Sequence, residues 1–134
     1  MSALTEEEAV VAFAKAWNRL EPEGFLTLLA PDSRYASQWV LEELSGVSSI
    51  AEYLRDKMQT VRAYGINNPD SRVRVEIGRT AYSDGGRLCA FMTQGKGNAV
   101  QAAVVFDVSG DKVVRCDMCI PQILGAVRTG VFPV

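Results

Sequence analysis

The chain has 134 residues, 48% hydrophobic and 22% charged, which is enough apolar material for a cored domain and excludes an intrinsically disordered segment. A formal net charge of −2, with lysine and arginine scattered along the chain, argues against a nucleic-acid partner, which needs clustered positive charge to displace counterions. Histidine is absent, which removes Ser-His-Asp and Cys-His nucleophile activation and histidine metal ligation.

In chain order, Thr5-x-x-Glu8 has the capping-box pattern, and Val10, Phe13, Ala14, Trp17 and Leu20 follow at helical spacing, predicting a first helix. A second short helix is predicted from Pro22 through Phe25, Leu28 and Leu29, ended by Pro31-Asp32. Arg34 to Leu41 reads as a strand, with Tyr35, Ser37 and Trp39 on one face because side chains alternate, and Leu44-Ser45-Gly46 as a turn. Ser49-x-x-Glu52 is a second capping box, opening a third helix to about Ala63 that is stopped by Tyr64-Gly65 and Asn67-Asn68-Pro69-Asp70. Strands are then predicted over Arg72 to Tyr82, Leu88 to Gln94, Ala99 to Val108 and Val113 to Ile120. Turns at Asp84-Gly85-Gly86, Gly95-Lys96-Gly97-Asn98 and Ser109-Gly110-Asp111-Lys112 link them into a meander. The tail from Pro121 to Val134 is apolar enough to pack. Three helices and a hairpin-linked sheet predict a single α+β domain over 1–134, a curved antiparallel sheet wrapped around the helices and enclosing a pocket.

Cys116 and Cys119 have CxxC spacing, but on a strand an odd separation sends the two side chains to opposite faces, so structural cysteines are expected. Neither a metal nor a cofactor is expected. The first residues lack a basic segment followed by an apolar run, and no apolar stretch approaches the roughly 20 residues of a membrane span; a cytoplasmic protein with no membrane partner is expected. The strand from Ala99 to Phe106 is apolar on both faces, so either the tail or a second copy must cover its outer face, and a homodimer through the sheet is expected.

The order of elements resembles the NTF2-like (cystatin-like) superfamily. The resemblance runs through Ala9–Asn18, Pro22–Ala30, Tyr35–Gln38, Leu44–Gly46, Ile50–Leu54 and Gly110–Val114. It implies a cone of three N-terminal helices on a curved sheet. The segment Tyr35–Val40, with Gly46 and Tyr53-Leu54-x-x-Lys57, is most similar to the uncharacterised bacterial, SnoaL-like branch. The superfamily's ketosteroid isomerases supply a helix-borne tyrosine, a base aspartate and an oxyanion-hole aspartic acid. The corresponding positions here are Phe13, Ser37 and Ala102, so isomerase activity is not expected. Its epoxide hydrolases use an inward aspartate on the last strand, where this chain has Met118.

Alternation on that strand sets Val114, Cys116, Met118 and Ile120 toward the pocket and Val113, Arg115, Asp117 and Cys119 away from it. A bulge would invert this phase. Trp17, Tyr35, Ser37, Trp39, Tyr53 and Met118 are therefore the predicted ligand-binding residues, with Asn18 and Gln38 as further polar points; Lys57 lies one helical turn after Tyr53. The leading expectation is a binding module for an apolar small molecule. The alternative is a SnoaL-like cyclase, isomerase or hydrolase with Asp117 as general base and Arg115 or Lys57 as electrostatic partner. A third is a protein–protein scaffold using the sheet face.

Overall fold

The computed structural model describes residues 3–37, 42–80, 86–95, 100–119 and 126–134. Helix α1 (Glu6–Arg19) starts on the predicted capping box: Glu8 N–H donates to Thr5 Oγ1 at 3.1 Å and Thr5 N–H to Glu8 Oε1 at 3.0 Å. It ends on Leu20, whose left-handed backbone (φ 56°) turns its N–H back onto Ala16 and Trp17. Helix α2 is only Glu23–Leu26. Strand β1 spans Leu29–Ser37, five residues earlier than the sequence predicts, because Leu28-Leu29-Ala30 is claimed by parallel pairing rather than by the helix. Residues 38–41, the predicted end of that strand, lie outside the described residues.

The predicted turn at Leu44-Ser45 is a short strand, β2 (Leu44–Ser45), antiparallel to β1. Gly46, at φ 90° and donating to Ser33 O at 2.8 Å, then turns the chain directly into α3 (Val47–Asn67). Ser49 is already inside that helix, so its predicted capping box does not form. The helix passes through Gly65 and stops only at Asn68, before Pro69, where the α conformation is disfavoured. A 3₁₀ turn, Pro69–Ser71, leads to the sheet.

Strands β3 (Val73–Arg79), β4 (Leu88–Gln94), β5 (Val100–Ser109) and β6 (Lys112–Cys119) form the predicted meander. The sheet order is β2-β1-β6-β5-β4-β3-β7, with β7 being Val127–Arg128. The sheet is mixed rather than antiparallel throughout, since β1 runs parallel to β6, Tyr35 opposite Cys116 and Ser37 opposite Met118. Two irregularities re-aim side chains. On β6 the register shifts between Asp107/Arg115 and Val108/Val113, so Val113 instead of Val114 enters the core. On β5 it shifts between Met92/Ala102 and Thr93/Val100, leaving Gln101 as the extra residue.

The inner face of the sheet packs on α1 and α3 through Val75, Val104, Phe106, Phe13, Ile50 and Leu54. Phe13, Phe25 and Phe106 form a solid aromatic group with ring centroids 5.2 to 5.9 Å apart. On the outer face Cys89, Phe91 and Ala103 are also buried, with Val100, Val105 and Ala126 against them. The chain itself therefore covers part of the doubly apolar strand. The tail lies along the edge of β3: Ile77 N–H donates to Val131 O at 3.0 Å, and buried Glu76 accepts from Arg128 Nε at 2.8 Å and Gly130 N–H at 2.6 Å. Val127, Val131 and Val134 remain exposed, so this tail is held by polar contacts along its backbone more than by its own apolar side chains. Among the described residues, no helix is long and apolar enough to cross a membrane.

Candidate functional site

Between α1, α3 and the inner face of the sheet lies a partly open cavity of about 280 Å³. Tyr35 of β1 and Trp17 of α1 form its floor, both buried. Tyr53, Lys57 and Val61 of α3 line one side, their spacing of four placing them on one helical stripe. Val73, Met92, Ala102 and Met118 add apolar surface from the sheet, and Thr93, Gln94 and Gln101 polar surface near the β5 bulge.

Two polar atoms here are unusual. Tyr35 Oη and Trp17 Nε1 are buried and have no hydrogen-bond partner among the described residues. A third such atom, Ser33 Oγ, lies away from the cavity lining. Burial drives the Tyr35 phenol well above its ordinary value, with Tyr53 and Cys116 pushing the same way, so Tyr35 stays a neutral donor. Burial also raises Tyr53. The Tyr35 and Tyr53 ring centroids are 5.5 Å apart, and Lys57 Nζ sits 5.6 Å from the Tyr53 ring centroid at the cavity mouth. Buried Cys116 is likewise pushed up, chiefly by burial, and is held as an unreactive thiol.

Of the predicted site residues, the fold brings Trp17, Tyr35, Tyr53, Lys57 and Met118 onto one cavity. Ser37 does not line it; its hydroxyl donates to Met118 Sδ at 3.6 Å, behind the lining. Trp39 and Gln38 lie outside the described residues. Asn18 is not a pocket group either. Its Nδ2 donates to Val75 O at 2.9 Å and Pro133 O at 2.7 Å, and its Oδ1 accepts from Val75 N–H at 2.7 Å.

Arg115 and Asp117, expected in the alternative as base and partner at the pocket, do not line the cavity. Alternation turns them to the outer face, where Arg115 Nε donates to Asp117 Oδ2 at 2.9 Å and Arg115 also pairs with Glu43. Arg34, 2.9 Å from Glu43, completes the group, and the hydrogen bond from Arg34 and the charge of Arg115 hold the Glu43 carboxyl below its ordinary value. The β6 bulge precedes Arg115, so it leaves the phase of Arg115 and Asp117 unchanged.

Val61 was legible as the next member of the Tyr53–Lys57 stripe. Gln94 and Gln101 were not, because a bulge carries no local sequence signal. Chemically, the described lining residues combine apolar surface with hydrogen-bond donors and acceptors and one cation, and include no carboxylate to act as a base.

No protein-family model matches the chain, and no curated protein is significantly similar to it in sequence. Solved structures are similar to it in fold. A SnoaL-like protein of unknown function from Burkholderia thailandensis has a TM-score of 0.61 at 18% identity, covering 90% of this chain and 100% of that one. An NTF2-like protein from Anabaena variabilis has a TM-score of 0.60 at 13% identity, covering 91% and 95%. A candidate polyketide cyclase from Pseudomonas putida has a TM-score of 0.57 at 21% identity, covering 91% and 95%. The fold is the α+β cone of these NTF2-like and SnoaL-like structures.

Proposed function

We propose that this NTF2-like protein binds an apolar small molecule carrying a hydrogen-bond acceptor, and that the cavity rather than the outer-face Arg115–Asp117 pair is the binding site. The observation that carries this reading is an apolar cavity floored by two residues whose buried donors, Tyr35 Oη and Trp17 Nε1, have no hydrogen-bond partner among the described residues. Buried polar groups are normally bonded, and leaving one unmade costs about 1–3 kcal/mol, so an acceptor brought by a ligand recovers free energy that the fold alone leaves unrealised. The likeness to a candidate polyketide cyclase supports an oxygen-bearing apolar ligand. Turnover by Asp117 is disfavoured because its carboxylate is outside the cavity lining.

The test is a thermal-shift and calorimetric panel of neutral probes such as 2-naphthol, 2-naphthamide and decanol. Binding to the wild type is expected, weakened about three- to tenfold in Tyr35→Phe by loss of one hydrogen bond. It should be lost in Ala102→Phe, which fills the cavity, and change less than twofold in Asp117→Asn. Absence of binding by any neutral or charged probe would overturn the reading.

The outer sheet face is assigned as a homodimer surface. Support comes from half-buried Val105, paired with Asp117 beside the buried Cys89–Phe91–Ala103 group. Light scattering of Val105→Glu against the wild type tests it, and a wild-type monomer mass at micromolar concentration refutes it. Residence in the cytoplasm as one domain belongs to the same proposal.

A further inference from the structure

A second cleft of about 260 Å³ adjoins the cavity, sharing Trp17, Val61 and Val73 with it. It is lined on its far side by Arg19, Arg62 and Arg72. Arg62 is oriented by the end of α1, donating from Nη2 to Leu20 O at 2.7 Å. Lys57, Arg19 and Arg72 form no ion pair among the described residues. Among the described residues, the two adjoining hollows thus carry four cationic side chains and no aspartate or glutamate. This occurs in a chain whose 16 acidic residues outnumber its 14 basic ones. Such one-sided lining focuses a positive potential on the site.

Three polar groups on residues that line the cavity have the same sense, beside the Thr93, Gln94 and Gln101 side chains, which offer acceptor oxygens as well as donors. The Trp17 indole N–H can only donate, the Lys57 ammonium can only donate, and the buried Tyr35 hydroxyl keeps its proton. The Tyr53 ring links them, with Lys57 Nζ 5.6 Å from its centroid on one side and the Tyr35 ring 5.5 Å away on the other.

From the convergence of Trp17, Tyr35 and Lys57 on one apolar cavity with no carboxylate among its described lining residues, beside an arginine-lined cleft, we infer that the ligand is an amphipathic organic acid whose carboxylate is recognised by these donors. The inference rests on the cavity being the binding site, and adds the charge of what it holds. The apolar body lies against Val73, Met92, Ala102 and Met118. Lys57 supplies the charge-assisted hydrogen bond, and the arginines of the adjoining cleft raise the rate of encounter.

The experiment compares matched pairs at fixed ionic strength, 2-naphthoate against 2-naphthamide and decanoate against decanol, by calorimetry and stopped-flow. The acids are expected to bind about tenfold or more tightly than their neutral partners. Lys57→Met should bring the ratio of acid to neutral affinity close to one, and Lys57→Arg should restore it. An Arg19→Gln/Arg72→Gln variant should slow association of the acids and flatten its salt dependence. Equal affinity of acid and neutral members, or an acid preference unchanged in Lys57→Met, would overturn the inference while leaving the cavity as a binding site. Failure of every probe would remove the binding reading beneath it. A circular-dichroism melt of each variant separates lost recognition from lost folding.

Discussion

Asn18 offers a sharp test of how the β3 side of the cone is held. Val75 is fully buried in β3, yet the edge of β3 facing α1 is completed at that residue by the Asn18 amide, not by another strand. The carboxamide copies a peptide group, accepting from Val75 N–H and donating to Val75 O, while its second proton reaches Pro133 O in the tail. Asn18→Ala leaves the Val75 amide and carbonyl without their partner. Each buried, unmade group costs about 1–3 kcal/mol, whereas the half-buried Pro133 carbonyl can rehydrate. A loss of about 2–6 kcal/mol is therefore expected, a large share of a typical stability of about 5–15 kcal/mol. Asn18→Asp nearly preserves shape but points a carboxylate at two carbonyls, so at neutral pH it should be no milder. Urea denaturation at constant m-value reads both, and hydrogen exchange should show Gly130 and Val131 losing protection first. A loss below about 0.5 kcal/mol for Asn18→Ala, or wild-type stability for Asn18→Asp, would refute the account.

Two further outcomes follow from the geometry. A Cβ at Gly78 would fall 2.6 Å from Phe91 Cδ2 and 2.6 Å from Val127 O, so Gly78→Ala should cost about 1–3 kcal/mol by displacing β7. Phe91→Leu in the same chain should recover part of that loss, and purely additive losses in a double-mutant cycle would contradict the assigned clash. Stability should also fall in alkali. Tyr35 and Cys116 keep their protons when folded, whereas the unfolded chain releases them near the ordinary values of 10.0 and 9.0. The folded state then holds more protons, so their contribution is intact below pH 9 and declines above it, by up to about 1.4 kcal/mol per pH unit for each group. Tyr35→Phe should show a shallower decline between pH 10 and 11.5, and an unchanged slope would rule out burial of a protonated phenol.

Much of this molecule follows from rules that act over a few residues. The Thr5–Glu8 box starts α1 where local hydrogen bonding requires it, and β4 spans Leu88–Gln94 as its composition implies. Period-two alternation correctly turned Cys116 and Met118 inward and Arg115 and Asp117 outward, and helical spacing put Tyr53 beside Lys57. Those features depend only on backbone geometry repeating along one element.

The tertiary structure decided what depends on a partner distant in sequence. Leu29 joined a strand because Val113 was there to pair with it, and Gly46 displaced the Ser49 cap because β2 delivered the chain to α3 already turned. Asn18 became a backbone surrogate and Glu76 an anchor for the tail only once β3 and residues 126–134 met them. The bulges that chose Val113 for the core and Gln101 for the cavity rim are likewise settled by register against neighbouring strands. Helical and strand periods are local, whereas pairing and register are chosen by the free energy of the whole sheet closing over its helices.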